Sequence, residues 1–437
     1  MTTAHLFHRI FFLLFLFTSW VSAQVANRPT FEIFNEIDRY ESEQRKALSS
    51  SGKRYDNAAK ENVQNDRRAL AKKYALEIEG RPNISGKDFY YLARIYSIAE
   101  NDKKTLESMQ RYIASVPDDA IGDMIKSALS FIVVLASRDK QLDVAEKAYQ
   151  RFITTEPVIQ SQRPALQDYL ASAYFKESKF EQAIGHAQSA FDLLKTLTPK
   201  TVSEKRSRET IYMNLVEVLA LGYKRNKNTD QSLSILAEAR AQSFTIPSAN
   251  LYRKVMDFVQ GSGFSEKKMM QKIDSYASAD PAPEIAITEW IGRESTSLEG
   301  MRGKVVLLDF WATWCGPCIA TFPRLRGWHK KFGGENFEII GVTQYYGEQD
   351  GKRVTPLQEI DYLREFRQKY KMPYGIAVAN SGEAQTKYGI AAYPTTILLD
   401  RNGVVRYIGI GAGTEESANL EETIEKVLKE SSHLGSN

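Results

Sequence analysis

The chain has 437 residues, 43% hydrophobic and 26% charged, an ordinary globular composition with material for the cores of two or three domains. Its formal charge of +4 is small for this length, and basic residues are interleaved with acidic ones. No Lys/Arg stripe carries aromatics, which argues against a nucleic-acid partner.

The N-terminus is expected to direct export. His5, His8 and Arg9 precede the apolar run Ile10–Phe17, and Val21-Ser22-Ala23 ends in small residues. This pattern predicts a signal peptide cut after Ala23. An uncleaved membrane anchor is the alternative, but the apolar run is short of the about 20 residues a span needs. No Cys lies near the cut and no twin Arg occurs, which points to a Sec-type leader without a lipid anchor. The localisation implied is periplasmic or otherwise exported.

From Gln24 to about Asp280 sparse Gly and Pro and helical spacing of apolar residues predict helices throughout. A repeat is visible in a tetratricopeptide-like pattern: Leu170-Ala171, Tyr174, Ala183, Ala187 and Ala190 form its clearest unit. A second contains Leu92-Ala93, Tyr96, Thr105, Met109, Tyr112 and Pro117. A third contains Ile132, Ala136, Ala145, Tyr149, Phe152 and Pro157. A weaker fourth runs from Val216 through Leu219-Ala220, Tyr223, Leu236 and Ala239. The period is uneven, roughly 38–49 residues against about 34 in the regular repeat. An irregular array of helical hairpins without a ligand groove would satisfy the same pattern.

Ala277–Pro283 breaks the helical texture and reads as a linker. Beyond it, β-rich runs at 305–310, 337–343, 375–379, 395–400 and 404–408 alternate with helices at 315–332, 357–370, 383–388 and about 420–430. Asn402-Gly403 is a hairpin signal. The expected fold is therefore multidomain. Residues 1–23 are a leader and 24–280 an all-α helical-hairpin array. Residues 281–430 form an α/β domain with a mixed sheet, and 431–437 a tail. The polar stretch 345–354 reads as an ordinary surface loop, with a rim loop near the site as the alternative.

Cys315 and Cys318 are the only cysteines. An apolar strand, Val305–Phe310, leads into Trp314-Cys315-Gly316-Pro317-Cys318, so Cys315 falls at a helix start. Unpaired backbone N–H groups and the helix dipole favour a thiolate there. Cys315 would attack a disulfide and Cys318, one turn further in, would resolve the mixed disulfide. Pro317 near the helix start costs no backbone bond. Half of a zinc site is the competing reading of such a pair, but the remaining candidate ligands are the scattered His5, His8, His186, His329 and His433. No metal and no cofactor is implied.

Phe310-Trp311-Ala312-Thr313-Trp314-Cys315-Gly316-Pro317-Cys318, Phe322-Pro323 and Tyr393-Pro394-Thr395-Thr396 together resemble the thioredoxin superfamily, specifically its exported TlpA/ResA-like thiol–disulfide oxidoreductases. The resemblance covers residues 281–430, about a third of the chain. It implies that Pro394 follows a cis peptide bond and shapes the substrate groove with Trp314, Gly316, Pro317 and Tyr393, the last offering its backbone to a bound peptide. It also implies that Asp309 is a buried acid that takes the Cys318 proton through a water; a strand-end Asp without a proton role is the alternative. Thr321 stands where such relatives often carry Glu. Trp311 and Trp314 would wall the site or belong to the core.

The Gly-Pro dipeptide is that of thioredoxin, which lies toward the reducing end of a range from about −270 to −120 mV. The implied activity is reduction of protein disulfides. The implied partners are a disulfide-containing client and a membrane thiol donor of the DsbD/CcdA kind, with a peptide or protein ligand for the helical array. A thiol peroxidase would need a Pro-x-x-x-Thr-x-x-Cys context, which is absent. A non-catalytic scaffold or binding protein of the cell envelope is the alternative of a different class.

Overall fold

Three helical hairpins of the N-terminal region share one turn. The structure, a computed structural model, describes residues 28–157, 159–197, 201–272, 280–349 and 351–430. The expected leader 1–23, linker residues 277–279 and the tail 431–437 lie outside the described residues. Two compact units divide the chain, Met1–Leu197 and Thr198–Asn437.

The first unit contains Thr30–Ser50 (α1), Asn57–Glu79 (α2), Lys87–Ile98 (α3), Asp102–Ala114 (α4), Asp123–Arg138 (α5), Leu142–Thr154 (α6), Arg163–Lys176 (α7) and Phe180–Thr196 (α8). The pairs α3/α4, α5/α6 and α7/α8 each reverse at a non-glycine residue of positive φ: Glu100, Lys140 and Ser178. In each turn the next N–H returns to a carbonyl five residues back: Asn101 to Tyr96 at 3.0 Å, Gln141 to Ala136 at 2.8 Å and Lys179 to Tyr174 at 2.9 Å. This is the bonding of a Schellman cap, which satisfies orphan carbonyls at the helix end. Several positions of the repeat pattern are buried in this unit. Leu170, Ala171, Ala183, Ala187 and Ala190 are fully buried, as are Leu92, Ala93, Ala136 and Ala145. Small side chains there let helix backbones approach closely.

The second unit begins with Val202–Arg225 (α9), Thr229–Thr245 (α10), Ala249–Gly261 (α11) and Glu266–Met270 (α12). The α9/α10 pair repeats the same turn at Lys227, with Asn228 donating to the Tyr223 carbonyl at 2.8 Å. The sheet follows: Ile287–Ile291 (β1), Val305–Phe310 (β2), Phe337–Gln344 (β3), Gly375–Ala379 (β6), Thr395–Leu399 (β7) and Val405–Ile410 (β8), in the order β1-β6-β3-β2-β7-β8. Glu348–Gln349 (β4) and Lys352–Arg353 (β5) form a separate small ribbon. β2 pairs parallel with β3 and antiparallel with β7, β3 pairs parallel with β6, and the remaining ladders are antiparallel. Gly316–Phe332 (α13), Pro356–Lys369 (α14), Glu383–Lys387 (α15) and Thr414–Lys429 (α16) complete the unit.

β2 is buried along its whole length because both its edges are paired and both its faces covered. Val305, Leu307 and Trp311 share a core with Cys318, Phe322 and Ile424, whereas Val306, Leu308 and Phe310 share one with Tyr388, Phe244 and Ala249. The second core draws Phe244 from α10 and Ala249 from α11, so these helices are part of the unit's interior. Backbone bonds reinforce the attachment: Ala249 N–H donates to the Tyr388 carbonyl at 3.0 Å and Asn250 N–H to that of Gly389 at 2.9 Å. Sequence texture changes at 281, yet the helices 202–270 are bound to the sheet ahead of that change.

Gly389 makes this approach possible. Its φ is +58°, and a Cβ there would lie 2.4 Å from Ser248 Oγ and 3.0 Å from Ser248 Cα. Gly389→Ala should therefore destabilise the chain by about 2 kcal/mol or more, from a left-handed Ala and a backbone collision. A chemical-denaturation midpoint equal to wild type would contradict this account of the contact.

Candidate active site

The strand-to-helix passage from β2 to α13 presents the two sulfurs. Cys315 is the N-cap of α13 and Pro317 lies in its first turn. Cys315 and Cys318 form a disulfide with Cα atoms 5.3 Å apart. Cys315 retains 5% of its surface and Cys318 none. The Cys318 backbone N–H points at Cys315 Sγ, 3.2 Å away. A reduced Cys315 thiolate at that position would accept a helix N-terminal hydrogen bond, which favours the anion.

Thr321, one turn further along, donates its hydroxyl to the Cys318 carbonyl at 2.7 Å. It therefore completes a helix bond and brings no charge to the sulfurs.

Asp309 follows the alternation of β2 onto the face of Leu307 and Trp311, the face that α13 covers with Cys318. It is 1% exposed, and neither carboxyl oxygen has a hydrogen-bond partner among the described residues. Burial raises its pKa to about 7. Its charge in turn helps to raise the Tyr374 phenol, which burial raises most. Gly341 is opposite Asp309 in the ladder, and a Cβ there would meet Trp311 Nε1 at 2.8 Å. That glycine leaves room for the pyrrole edge of the indole beside β3.

Pro394 stands beside the end of β2, since Phe310 pairs with Thr395, and the Tyr393–Pro394 peptide bond is cis. Gly411 N–H donates to the Pro394 carbonyl at 2.8 Å. No hydrogen bond engages the Tyr393 backbone N–H or carbonyl among the described residues. An extended segment laid against Tyr393 could use both groups.

The two tryptophans differ in place. Trp311 is fully buried, stacked on Phe366 and edge-on to Phe322. Trp314 is 65% exposed and meets the rings of Tyr346 and Tyr393 edge-on at 5.6 and 6.0 Å. Trp314 alone therefore forms an outer wall.

Tyr346, in the 345–354 stretch, lies against Trp314 and Tyr393, so of the two readings of that stretch its contacts fit the rim loop near the site rather than an ordinary surface loop. Its hydroxyl pairs with that of Tyr393 at 3.2 Å. The buried Glu359 of α14 accepts the backbone N–H groups of Tyr346 and Gly347 at 2.8 and 3.0 Å. A side chain in the next helix thus pins the loop against the site. Glu359→Ala should cost about 1–3 kcal/mol, because two loop N–H groups lose a charged acceptor. Urea unfolding measures the cost, and an unshifted midpoint would leave the loop held by something else.

Comparison with known proteins places the second unit. The AhpC/TSA family profile matches residues 279–408. The thioredoxin-like protein YneN of Bacillus subtilis (strain 168) is 31% identical over 135 residues, covering 31% of this chain and 72% of that protein. The thiol-disulfide oxidoreductase ResA of Bacillus thuringiensis subsp. konkukian (strain 97-27) is 29% identical over 147 residues, or 33% and 76% of the two. The crystal structure of StoA from Bacillus subtilis aligns at 25% identity with a TM-score of 0.27, covering 33% of this chain and 99% of that one. The chain belongs to the thioredoxin-like thiol–disulfide oxidoreductases. Its helices before residue 279 lie outside the family match.

Proposed function

We propose that the protein is an exported reductase of protein disulfides working through the Cys315/Cys318 dithiol. The observation that carries this reading is the disulfide at the start of α13, with Cys315 the more exposed sulfur and a helix N–H aimed at it. In the reduced protein the Cys315 thiolate attacks one sulfur of the client disulfide. A mixed disulfide forms, and the other client sulfur leaves as a thiolate. Cys318 then gives its proton, through a water, to Asp309 and attacks Cys315 Sγ. The second client thiolate departs, and Cys315–Cys318 closes; two electrons have passed to the client.

Trp314, Gly316, Pro317, Tyr393 and Pro394 form the client-facing surface in this reading. The unpaired backbone of Tyr393 would align an extended client segment. No metal or cofactor takes part. A membrane thiol donor of the DsbD/CcdA kind would return the dithiol to its reduced form, and the tetratricopeptide-like array would recruit the client.

Export rests on the pattern of residues 1–23; among the described residues no helix is long and apolar enough to cross a membrane. Insulin-disulfide reduction with dithiothreitol as electron source tests the activity. Turnover no faster than dithiothreitol alone would rule out the reductase reading.

A further inference from the structure

Helices α9 and α11 and the segment 382–391 enclose an open cavity of about 530 Å³, within the size range of ligand-binding clefts. Its walls carry three cations, Lys205, Arg206 and Lys254, and one carboxylate, Glu209. Two of these four are engaged by the fold. Lys205 Nζ donates to the Thr386 and Lys387 carbonyls at 3.1 and 2.6 Å. The Glu209 carboxylate accepts from Ser248 Oγ at 2.7 Å and Asn250 Nδ2 at 3.3 Å. Arg206 and Lys254 form no ion pair among the described residues. The cavity therefore keeps a positive surplus on partly enclosed walls, where field lines are focused.

Side-chain contacts link the cavity wall to the neighbourhood of the disulfide. Gln385 lines it and donates Nε2–H to the Tyr393 hydroxyl at 3.1 Å. Tyr393 in turn touches Trp314, the residue before Cys315. Ala391, on the cavity wall, precedes Pro394 by three residues, at most about 10 Å of extended chain. A polypeptide lying along the Tyr393 backbone would reach the cavity within about three of its own residues.

We propose that this cavity is a docking subsite for an acidic segment of the disulfide-bearing client, whose carboxylates pair with Arg206 and Lys254. The inference rests on the reductase reading for the identity of the occupant. The unpaired cations call for an anion, and a guanidinium takes a carboxylate through two parallel N–H bonds. The route along Tyr393 calls for an anion carried on a polypeptide. The helices before the sheet thereby contribute directly to client choice.

The test uses the full chain and two labelled peptides without cysteine, one rich in Glu and Asp and one of equal length rich in Ser and Gln. Fluorescence anisotropy should show the acidic peptide bound at least tenfold more tightly. Arg206→Glu with Lys254→Glu should abolish that preference, as should about 0.5 M salt. The milder pair Arg206→Gln and Lys254→Gln should weaken it severalfold with an unchanged melting temperature, which separates lost charge from lost fold. Equal binding of the two peptides by wild type, or an unchanged preference in both double variants, would overturn the proposal. So would succinate competing as well as the acidic peptide, since the cavity would then be a small-anion site. Turnover of insulin disulfides is read in parallel. Its absence beside an intact acidic preference would remove the reductase reading and leave the subsite standing.

Discussion

Cys315→Ser is expected to lower disulfide-reduction turnover by at least about a thousandfold, because a hydroxyl at that helix start cannot supply the attacking thiolate. Cys318→Ser should behave differently. Its Cys315 can still attack, but nothing is placed to release the client, so turnover falls while a covalent mixed disulfide accumulates. The contrast follows from the burial difference: Cys315 keeps a sliver of accessible surface, whereas Cys318 is closed off beneath it. Insulin reduction measures the first effect, and non-reducing gel electrophoresis of the Cys318→Ser protein with client extracts measures the second. Undiminished turnover in Cys315→Ser would remove the dithiol mechanism. Failure of Cys318→Ser to trap any partner, where a control oxidoreductase traps its own, would count against a protein substrate.

Asp309→Asn is expected to make the protein more stable and less active above neutral pH. Burial raises the carboxyl to about 7 from its ordinary 3.8, so the folded chain holds a proton that the unfolded chain releases. Stability from this site is fully present below about pH 4 and is lost as pH rises through 7. The loss approaches about 4 kcal/mol, from roughly three pKa units at about 1.4 kcal/mol each. Asparagine carries no such cost. Melting curves of the two proteins should nearly coincide at pH 4 and separate by several degrees at pH 9, the variant melting higher. Turnover should fall by about a hundredfold, the ordinary contribution of a positioned proton carrier. A variant that matches wild-type turnover across pH 6–9 would leave Asp309 as a buried strand residue without a proton role.

Legibility of the fold followed burial. β2 and β6 are buried at every position, and their uninterrupted apolar runs, 305–310 and 375–379, stood out as strands. β1 did not. Ile287–Ile291 is an edge strand with a broken register, an exposed Thr288 and a half-buried Glu289, and only β6 beside it makes it a strand. The last helix starts at Thr414, ahead of the expected 420, because its first turn presents Glu415 and Glu416 and its buried face begins at Leu420. At the site, the cysteines, Asp309 and Pro394 lie in short recognisable runs. Tyr346 does not, since what matters about it is a hydroxyl contact 47 residues away in the chain. The attachment of α11 to residues 388–389 was equally hidden, because the groups that accept it are main-chain carbonyls common to any sequence.

That attachment bears on how the polypeptide can be divided. The Pro-rich stretch at 281–283 looks like a natural place to cut. A fragment starting there would lose Phe244 and Ala249 from the core around Phe310 and leave the carbonyls of residues 386–389 without their donors. Tolerance to truncation depends on the burial and bonding of the affected backbone. A piece bearing the dithiol is therefore expected to keep its stability only when it starts near Thr201, with the four helices ahead of the sheet retained as part of its core.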